Sequence, residues 1–358
     1  MRIVFKTSYD QDIRLLRHSG YVFWYGLLLL ALLLAPLAVD SFYIGEMSMI
    51  FVYAIAGLGL MLLVGFTGQI SLGHAAFLAI GAYAHAYLIS HGWPFLLALP
   101  SAGLIAAAAG VLLAIPATRM TGIYLAIATL AFAIIVEQAA IHFKVVTGGF
   151  GGMMVDYPVL FGVSMTEAWQ LYFICLAVLI LVLLGCANLL RSPTGRAFMA
   201  IRDSEVSAQS MGIHVTAYKT LAFGISAGIT GLAGALFAHK LSYLAPDAFN
   251  IIVSVQLLLM VVVGGLGSLH GAILGAIFIG FLPQALAMLR DVLPANIANT
   301  PGLEPGVFGL LLMLFIIFEP QGLYGRWLKV KLYFHVFPTY RKATFKRQKA
   351  YLKTERMQ

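Results

Sequence analysis

The stretch that decides the fold runs from Met47 to Thr118 and reads MSMIFVYAIAGLGLMLLVGFTGQISLGHAAFLAIGAYAHAYLISHGWPFLLALPSAGLIAAAAGVLLAIPAT. It contains no Asp, Glu, Lys or Arg. A helix that crosses a lipid bilayer needs about 20 apolar residues. The length of the stretch therefore predicts three consecutive transmembrane helices joined by two tight turns.

The remainder of the chain has the same character. Of its 358 residues, 61% are hydrophobic and 10% are charged, whereas a soluble domain carries about 25% charged residues. We therefore predict an all-α polytopic membrane protein with about ten spans. Eight or nine spans remain possible, because the region 251–289 could include a re-entrant piece. The predicted spans are 21–39, 47–66, 74–90, 94–117, 121–141, 168–190, 220–239, 251–267, 270–289 and 306–319.

The basic residues predict the orientation. If the N-terminus is cytoplasmic and the spans alternate, nineteen Lys and Arg residues lie in cytoplasmic segments and three lie in outer loops. Such an excess of positive charge marks the cytoplasmic side. The prediction is a cytoplasmic segment 1–20, a transmembrane domain 21–322 with a cytoplasmic loop 191–219, and a basic cytoplasmic tail 323–358. The protein would then cross a bacterial inner membrane several times, with both termini on its cytoplasmic side.

Several function classes are disfavoured. The net charge of +8 is concentrated at the chain ends, which suits cytoplasmic flanks of membrane helices better than a nucleic-acid groove. The sequence has no G-x-x-x-x-G-K-[ST] loop for ATP and no H-E-x-x-H metal motif. Cys175 and Cys186 would be about 16 Å apart along one helix, too far for a disulfide. We find no acid pair, Ser/His pair or metal cluster at convincing spacing, so a polytopic membrane enzyme is only a distant alternative.

The cytoplasmic loop carries the clearest local signals. Ser204 can cap the N-terminus of a short helix, and Glu205 is favourably placed in its first turn. Gly212 can end that helix in a left-handed conformation. Ala208 lies three residues after Glu205 and thus on the same helical face. A short exposed helix between two spans would let a soluble partner act on the membrane part.

The spacing Glu205-x-x-Ala208-x-x-x-Gly212 resembles the E-A-A-x-x-x-G coupling loop of ABC importer permeases, with Ser207 where that family more often has Ala. The preceding Ala200-Ile-Arg202-Asp203 resembles the branched-chain amino-acid subfamily in particular. Further similarity lies in three stretches: Gly65-Phe-Thr-Gly-Gln-Ile-Ser-Leu-Gly-His-Ala-Ala-Phe-Leu-Ala-Ile-Gly-Ala-Tyr83, Thr147-Gly148-Gly149 and Val263-Gly-Gly-Leu-Gly-Ser-Leu-His-Gly-Ala272. The chain thus resembles the LivM-type membrane subunit of branched-chain amino-acid ABC transporters over residues 45–322.

The resemblance implies a transport subunit, not an enzyme. A periplasmic binding protein would deliver leucine, isoleucine or valine, and a second related permease would complete the pathway. Two cytoplasmic ATPases would hold the ATP and magnesium, and this chain would carry no cofactor or metal. Arg202, Asp203, Glu205, Ala208 and Gly212 would form the coupling loop. A permease for urea or short-chain amides is the nearest alternative, because that branch shares the same fold and loops.

Candidate residues for the translocation path are polar groups in apolar surroundings. Gly65 and Gly68 favour a helix break, after which Ser71 could cap the next helix and present free N–H groups to a carboxylate. A turn without substrate contact is the competing interpretation. Glu137 would face the bundle interior, an aqueous path or the outer water, since lipid exposure is costly. The complete set of candidates is Gln69, Ser71, His74, Glu137, Gln138, Thr147, Gly148 and Gly149.

Glycines at four-residue spacing predict close helix packing. Two such ladders are present: Gly224 with Gly228, and Gly267 with Gly271 and Gly275. A weak internal echo also links Val64-Gly-Phe-Thr-Gly68 with Val263-Gly-Gly-Leu-Gly267. A parallel internal repeat is one explanation of this echo.

Overall fold

The computed structural model describes residues 19–160, 162–292, 303–318 and 321–336. The described part is almost entirely helical. The α-helices, in chain order from α1 to α14, are Ser19–Ala38, Ser41–Leu60, His74–Ser90, Phe95–Ala117, Ile123–His142, Lys144–Thr147, Ala168–Arg191, Pro193–Asp203, Glu205–Ser210, Val215–Leu241, Ile251–Gly264, Leu269–Val292, Leu303–Phe318 and Gly322–Val336. Residues 1–18 of the predicted N-terminal segment and 337–358 of the predicted tail lie outside the described ranges.

A helix lies at the position of every predicted span, with ends that differ by a few residues. Helix α2 continues to Phe66 as a π-helix, Met61–Phe66. Within the described ranges, six helical segments are long and apolar enough to cross a membrane: Ser41–Phe66, Phe95–Ala117, Ile123–His142, Ala168–Arg191, Val215–Leu241 and Pro246–Gly264. Shorter apolar helices include Val22–Ala38 and Leu269–Ala285. The chain is therefore a polytopic helical membrane protein.

Helix α10 is the centre of the packing and contacts α2, α3 and α4. Small residues make these contacts possible, because a glycine lets two helix backbones approach closely. A Cβ added at Gly228 would lie 3.2 Å from Cβ of Ala107 on α4, and one at Gly224 would lie 2.8 Å from Val111. The packing role predicted for both glycines is thus observed.

The second glycine ladder differs from its prediction at one position. Gly271 and Gly275 lie on α12 and face α11, where a Cβ at Gly275 would meet the Met260 carbonyl at 1.9 Å. Gly267, however, precedes α12 and lies in the turn after α11 with φ +79°. The four-residue spacing was misleading because α11 already ends at Gly264.

In the part of the chain that the structure describes, four strands of two residues each interrupt the helical architecture. Met153–Met154 (β1) pairs antiparallel with Tyr243–Leu244 (β4), and Val159–Leu160 (β2) pairs with Val163–Ser164 (β3). The first pair joins the segment after α6 to the segment after α10. The strands are too short to change the fold class, but they fix the connections at the ends of α5 and α10.

Candidate functional site

The loop between α7 and α10 contains two short helices, α8 and α9. The Ser204 side chain accepts a hydrogen bond from the Ser207 N–H at 3.2 Å and so caps α9. At the other end, the N–H of Gly212 donates to Gln209 and that of Ile213 donates to Ala208, each at 3.0 Å. This is the Schellman arrangement, and Gly212 has φ +83°. The predicted start and stop of the short helix are both confirmed.

An ion pair ties α9 to the first turns of α10. The Lys219 ammonium lies 2.6 Å from the Glu205 carboxylate. The lysine side chain is only 4% exposed, whereas the Glu205 side chain is 46% exposed. A displacement of α9 would therefore be transmitted through this ion pair to α10, the helix at the centre of the packing.

The outer face of α9 is not the face that the sequence suggested. Ala208 is 3% exposed and packs within this chain, although it was expected to lie against a partner. Val206 and Met211 are 79% and 82% exposed. The sequence placed Ala208 and Glu205 on one face correctly, but that face is turned toward α10 through the Lys219 ion pair.

Arg202 connects the loop to the membrane helices. Its Nη1 donates to the Gly65 carbonyl at 3.1 Å, while its Nε and Nη2 donate to Oδ1 of Asp203 at 3.1 and 3.0 Å. A Cβ added at Gly68 would lie 3.1 Å from Arg202, and one at Gly267 would lie 3.3 Å from it. One guanidinium thus touches both glycine turns at this end of the bundle.

These two turns are the segments that echo each other in the sequence, and they are in direct contact. A Cβ at Gly65 would lie 2.7 Å from the Gly267 nitrogen. Gly68 and Gly267 both have positive φ, at +74° and +79°, where a residue with a Cβ is disfavoured. The two turns can therefore meet only because they carry glycines.

The contact between residues 64–68 and 263–267 is called the glycine junction below. A chain of hydrogen bonds crosses the buried core beside it. The Ser226 hydroxyl donates to the Gly59 carbonyl at 2.6 Å, and its oxygen lies 2.8 Å from His74 Nε2. Since that hydroxyl proton is already engaged, His74 Nε2–H is the donor to it. Nδ1 of His74 then accepts from the Ser71 hydroxyl at 2.9 Å. The predicted path residues Ser71 and His74 thus join α2, α3 and α10.

The prediction that Ser71 caps α3 is wrong. The N-cap residue is Gly73, without a side-chain cap, because the Ser71 hydroxyl is directed to His74. The free N–H groups expected there are also partly engaged, since Ala75 N–H donates to the Ser254 hydroxyl at 3.1 Å. Gln69 is different: it is 4% exposed, and within the described ranges neither of its amide atoms has a hydrogen-bond partner.

Glu137 and Gln138 lie on α5, away from the glycine junction. Glu137 is half-buried and Gln138 is exposed. The Gln138 carbonyl accepts a hydrogen bond from Nδ1 of His142 at 2.8 Å. The structure therefore does not bring this pair together with Gln69, Ser71 and His74.

The Thr147-Gly148-Gly149 segment closes the end of α5. The buried Thr147 hydroxyl lies 2.6 Å from the Ala140 carbonyl and 2.9 Å from the Phe143 carbonyl, and it accepts the N–H of Gly149 at 3.1 Å. A Cβ at Gly148 would lie 2.1 Å from the Gly152 carbonyl oxygen. The segment is a tightly packed helix terminus, so a side chain larger than hydrogen at Gly148 would disturb its packing.

Sequence reasoning missed the groups that complete these contacts. Lys219 was read only as a charge that marks the cytoplasmic side, and Ser226 and Ser254 were not singled out. Ser226 and Ser254 are 152 and 179 positions from their partners, and Lys219 lies on the helix after that of Glu205, so no pattern within one helix pairs them. Among residues 19–160, 162–292, 303–318 and 321–336, no group of three His, Cys, Asp or Glu side chains could hold a metal ion.

Comparison with known proteins gives a consistent result. The family model described as "Branched-chain amino acid transport system / permease component" matches residues 42–317. The chain is 36% identical over 314 residues to the "High-affinity branched-chain amino acid transport system permease protein LivM" of Salmonella typhimurium, which covers 80% of this chain and 71% of that protein. It is 35% identical to the Escherichia coli protein of the same name over the same shares of both chains.

A more distant relative is the "Probable branched-chain amino acid transport permease protein LivM" of Methanocaldococcus jannaschii, 25% identical over 64% of this chain and 67% of that protein. No solved structure matches the chain. The family match includes the glycine junction, the α8–α9 loop and the helices around α10. The chain is a multi-pass membrane permease that belongs to the permease component family of branched-chain amino acid transport systems.

Proposed function

We propose that this chain is one of two related pore-forming subunits of an ATP-driven importer in the bacterial inner membrane. The importer would translocate leucine, isoleucine or valine delivered by a periplasmic binding protein. Two cytoplasmic ATPase subunits would bind ATP and magnesium and drive the cycle. Family membership and the relatives' names support the substrate class.

The observation that carries the proposal is the α8–α9 loop. Val206 on α9 and Met211 directly after its last residue point outward, while the Glu205–Lys219 ion pair ties α9 to α10. The exposed apolar side chains fit a partner surface, since such groups gain free energy when they leave water. A displacement of the α8–α9 loop would be transmitted to the membrane helices through two contacts. One is the ion pair from α9 to Lys219 on α10, and the other is the hydrogen bond from Arg202 on α8 to Gly65.

The two contacts suggest how ATPase movement alters the path. Arg202 donates a hydrogen bond to the Gly65 carbonyl and lies close to Gly267, and the buried side-chain amide of nearby Gln69 has no hydrogen-bond partner among the described residues. Leaving a polar group buried without a partner costs about 1–3 kcal/mol. A displacement of Arg202 that lets water or substrate reach Gln69 would remove this penalty, so Gln69 favours the open state.

The basic asymmetry of the sequence supports a cytoplasmic position for the α8–α9 loop and for both termini. Cysteines introduced at Ser41, before α2, and at Thr194, in α8, would then lie on opposite sides of the membrane. Impermeant thiol reagents should label Thr194→Cys only in inverted vesicles and Ser41→Cys only in right-side-out cells. Labelling of both positions from one side would contradict the orientation and the alternation of the spans.

Transport itself is tested with the full complex in proteoliposomes that contain ATP on the ATPase side. Leucine should accumulate only when the binding protein and both ATPases are present, and the isolated chain should hydrolyse no ATP. Uptake of urea or a short-chain amide in place of leucine would favour the nearest alternative function. Chemical conversion of a substrate by the chain alone would favour a membrane enzyme.

Docking is tested by charge placed on the exposed face of α9. Val206→Asp and Met211→Asp should weaken ATPase association and reduce uptake without harming insertion, because both side chains already face water. Gln209→Asp, an equal change at an exposed position of the same helix, separates loss of apolar contact from added charge. Normal ATPase binding by both apolar-face variants would show that α9 is not the coupling element.

A further inference from the structure

A small pocket with charged and apolar walls lies at the end of the bundle remote from the α8–α9 loop. It has a volume of about 240 Å³ and lies among α2, α10, α11 and α12. Lys240 is at its wall, near the C-terminal end of α10. Lys219, which forms the ion pair with Glu205 of α9, is also on α10, about 32 Å from Lys240 along the helix axis. This distance is roughly the thickness of the hydrocarbon core of a membrane. If the α8–α9 loop is cytoplasmic, this pocket is on the outer side.

Two opposite charges line the pocket without forming an ion pair. Glu46 and Lys240 are both half-buried, and neither makes an ion pair or a hydrogen bond with another described residue. The ammonium lies over the first turn of α2, where a Cβ added at Gly45 would be 2.9 Å from it. Glu46 is the next residue along α2 and lines the same pocket, but it forms no ion pair with this ammonium. Charged side chains that face a cavity in a membrane domain commonly mark the path of an ion or a polar substrate.

The rest of the lining combines amides with aliphatic surface. Gln256 and Gln284 supply hydrogen-bonding groups, and Met49 and Ile279 supply apolar surface. An ammonium and a carboxylate, set beside a short aliphatic side chain, would satisfy all these groups together. We propose that this pocket receives the zwitterionic head group of an aliphatic amino acid, with its ammonium on Glu46 and its carboxylate on Lys240.

This inference rests on the proposed function and sharpens it, because it locates the recognition of an amino acid on this chain. A neutral molecule such as urea would leave both pocket charges unpaired. The binding protein can supply most of the affinity, so a weak site is sufficient here. Such a site would select a zwitterion at the moment of transfer into the path.

The test measures binding of three ligands to the assembled, detergent-purified complex without binding protein. Ligand-observed NMR compares leucine with leucinamide, which lacks the carboxylate, and with 4-methylpentanoate, which lacks the ammonium. The wild-type complex should prefer leucine by about tenfold over either analogue, since a charge-assisted hydrogen bond contributes at least that factor. Equal binding of all three by the wild type would overturn the proposal.

The variants assign the charges. Lys240→Met should abolish the preference for leucine over leucinamide, and Glu46→Gln should abolish the preference for leucine over 4-methylpentanoate. Gly45→Ala should reduce leucine binding because its methyl group displaces the ammonium, the movable end of a flexible side chain. Lys144→Met removes an exposed charge outside the pocket and should leave all preferences unchanged. If Lys240 had a purely structural role, Lys240→Met would lower the affinity for all three ligands equally, which would contradict the assignment.

Uptake separates this inference from the proposed function. Suppose that the wild-type complex imports leucine but Lys240→Met does not alter the ligand preferences. This result would overturn the proposal that the pocket binds the head group and would leave the proposed function intact. Failure of the wild-type complex to import leucine would overturn the function. The ligand preferences are still measured in that case and decide the pocket independently.

Discussion

The α8–α9 loop and the Thr147-Gly148-Gly149 segment look alike in the sequence, since both combine a hydroxyl side chain with glycines between two spans. Their glycines differ in surroundings. Around Gly212 no atom of the described residues, apart from its chain neighbours, lies within 4 Å of an added Cβ, whereas at Gly148 an added Cβ would meet backbone at 2.1 Å. Both have positive φ. One glycine only reverses the chain in open space, and the other also permits close packing, so the same substitution has different consequences.

The largest effect is expected at Gly148. Gly148→Val should strongly reduce the amount of assembled complex, because it adds a clash with the Gly152 carbonyl to a left-handed strain of about 1–2 kcal/mol. Size-exclusion chromatography of the solubilised complex measures assembly. The matched variant Gly151→Val lies just after this segment, where there is open space and no positive φ, and it should assemble normally. Equal assembly of both variants would remove the distinction between the two regions.

An intermediate effect is expected at the ion pair that holds α9. Glu205→Gln leaves the buried Lys219 ammonium without its acid, which should destabilise the loop by about 1–2 kcal/mol after solvent screening at the half-exposed carboxylate. Lys219→Met should have less effect, because the remaining carboxylate can be hydrated. Hydrogen exchange of the α9 amides measures both. A larger increase in exchange for Lys219→Met would contradict this order.

The smallest effect is expected at Gly212. Gly212→Ala should weaken the end of α9 by about 1 kcal/mol, because only backbone strain is added and no atom is displaced. Gly212→Asn should be milder still, since Asn tolerates the left-handed conformation. The local exchange rates of the α9 amides give both values. A loss of assembly comparable with that of Gly148→Val would show that Gly212 is also a packing residue.

The sequence predicted the helix positions well because apolar length and glycine or proline breaks are local properties. Ser204 and Gly212 were likewise identified because a helix cap depends on residues a few positions away. The direction of Ala208 and the role of Ser71 were not, because each depends on how helices pack in three dimensions. Ala208 faces inward beside the Lys219 ion pair, and Ser71 contacts the histidine that reaches Ser226.

The same limit explains Gly267. Its spacing from Gly271 and Gly275 matches a helix ladder, but α11 ends at Gly264 and the chain turns before α12 begins. The internal echo with residues 64–68 was the better guide, since the two echoing segments touch at Gly65 and Gly267. A repeated short motif therefore carried long-range information that glycine spacing alone did not.

The hydrogen bonds from Ser71 through His74 and Ser226 to Gly59 restrict how this protein can change shape. In each of these bonds one group is the donor and the other the acceptor. The groups together lie on α2, on α10 and at or just before the start of α3. A sliding movement between any two of these helices would leave a buried hydroxyl or imidazole nitrogen unpaired. Alternating access would then carry the three helices as one unit, with rotation confined to the glycine turns and to the helices that pack around this unit.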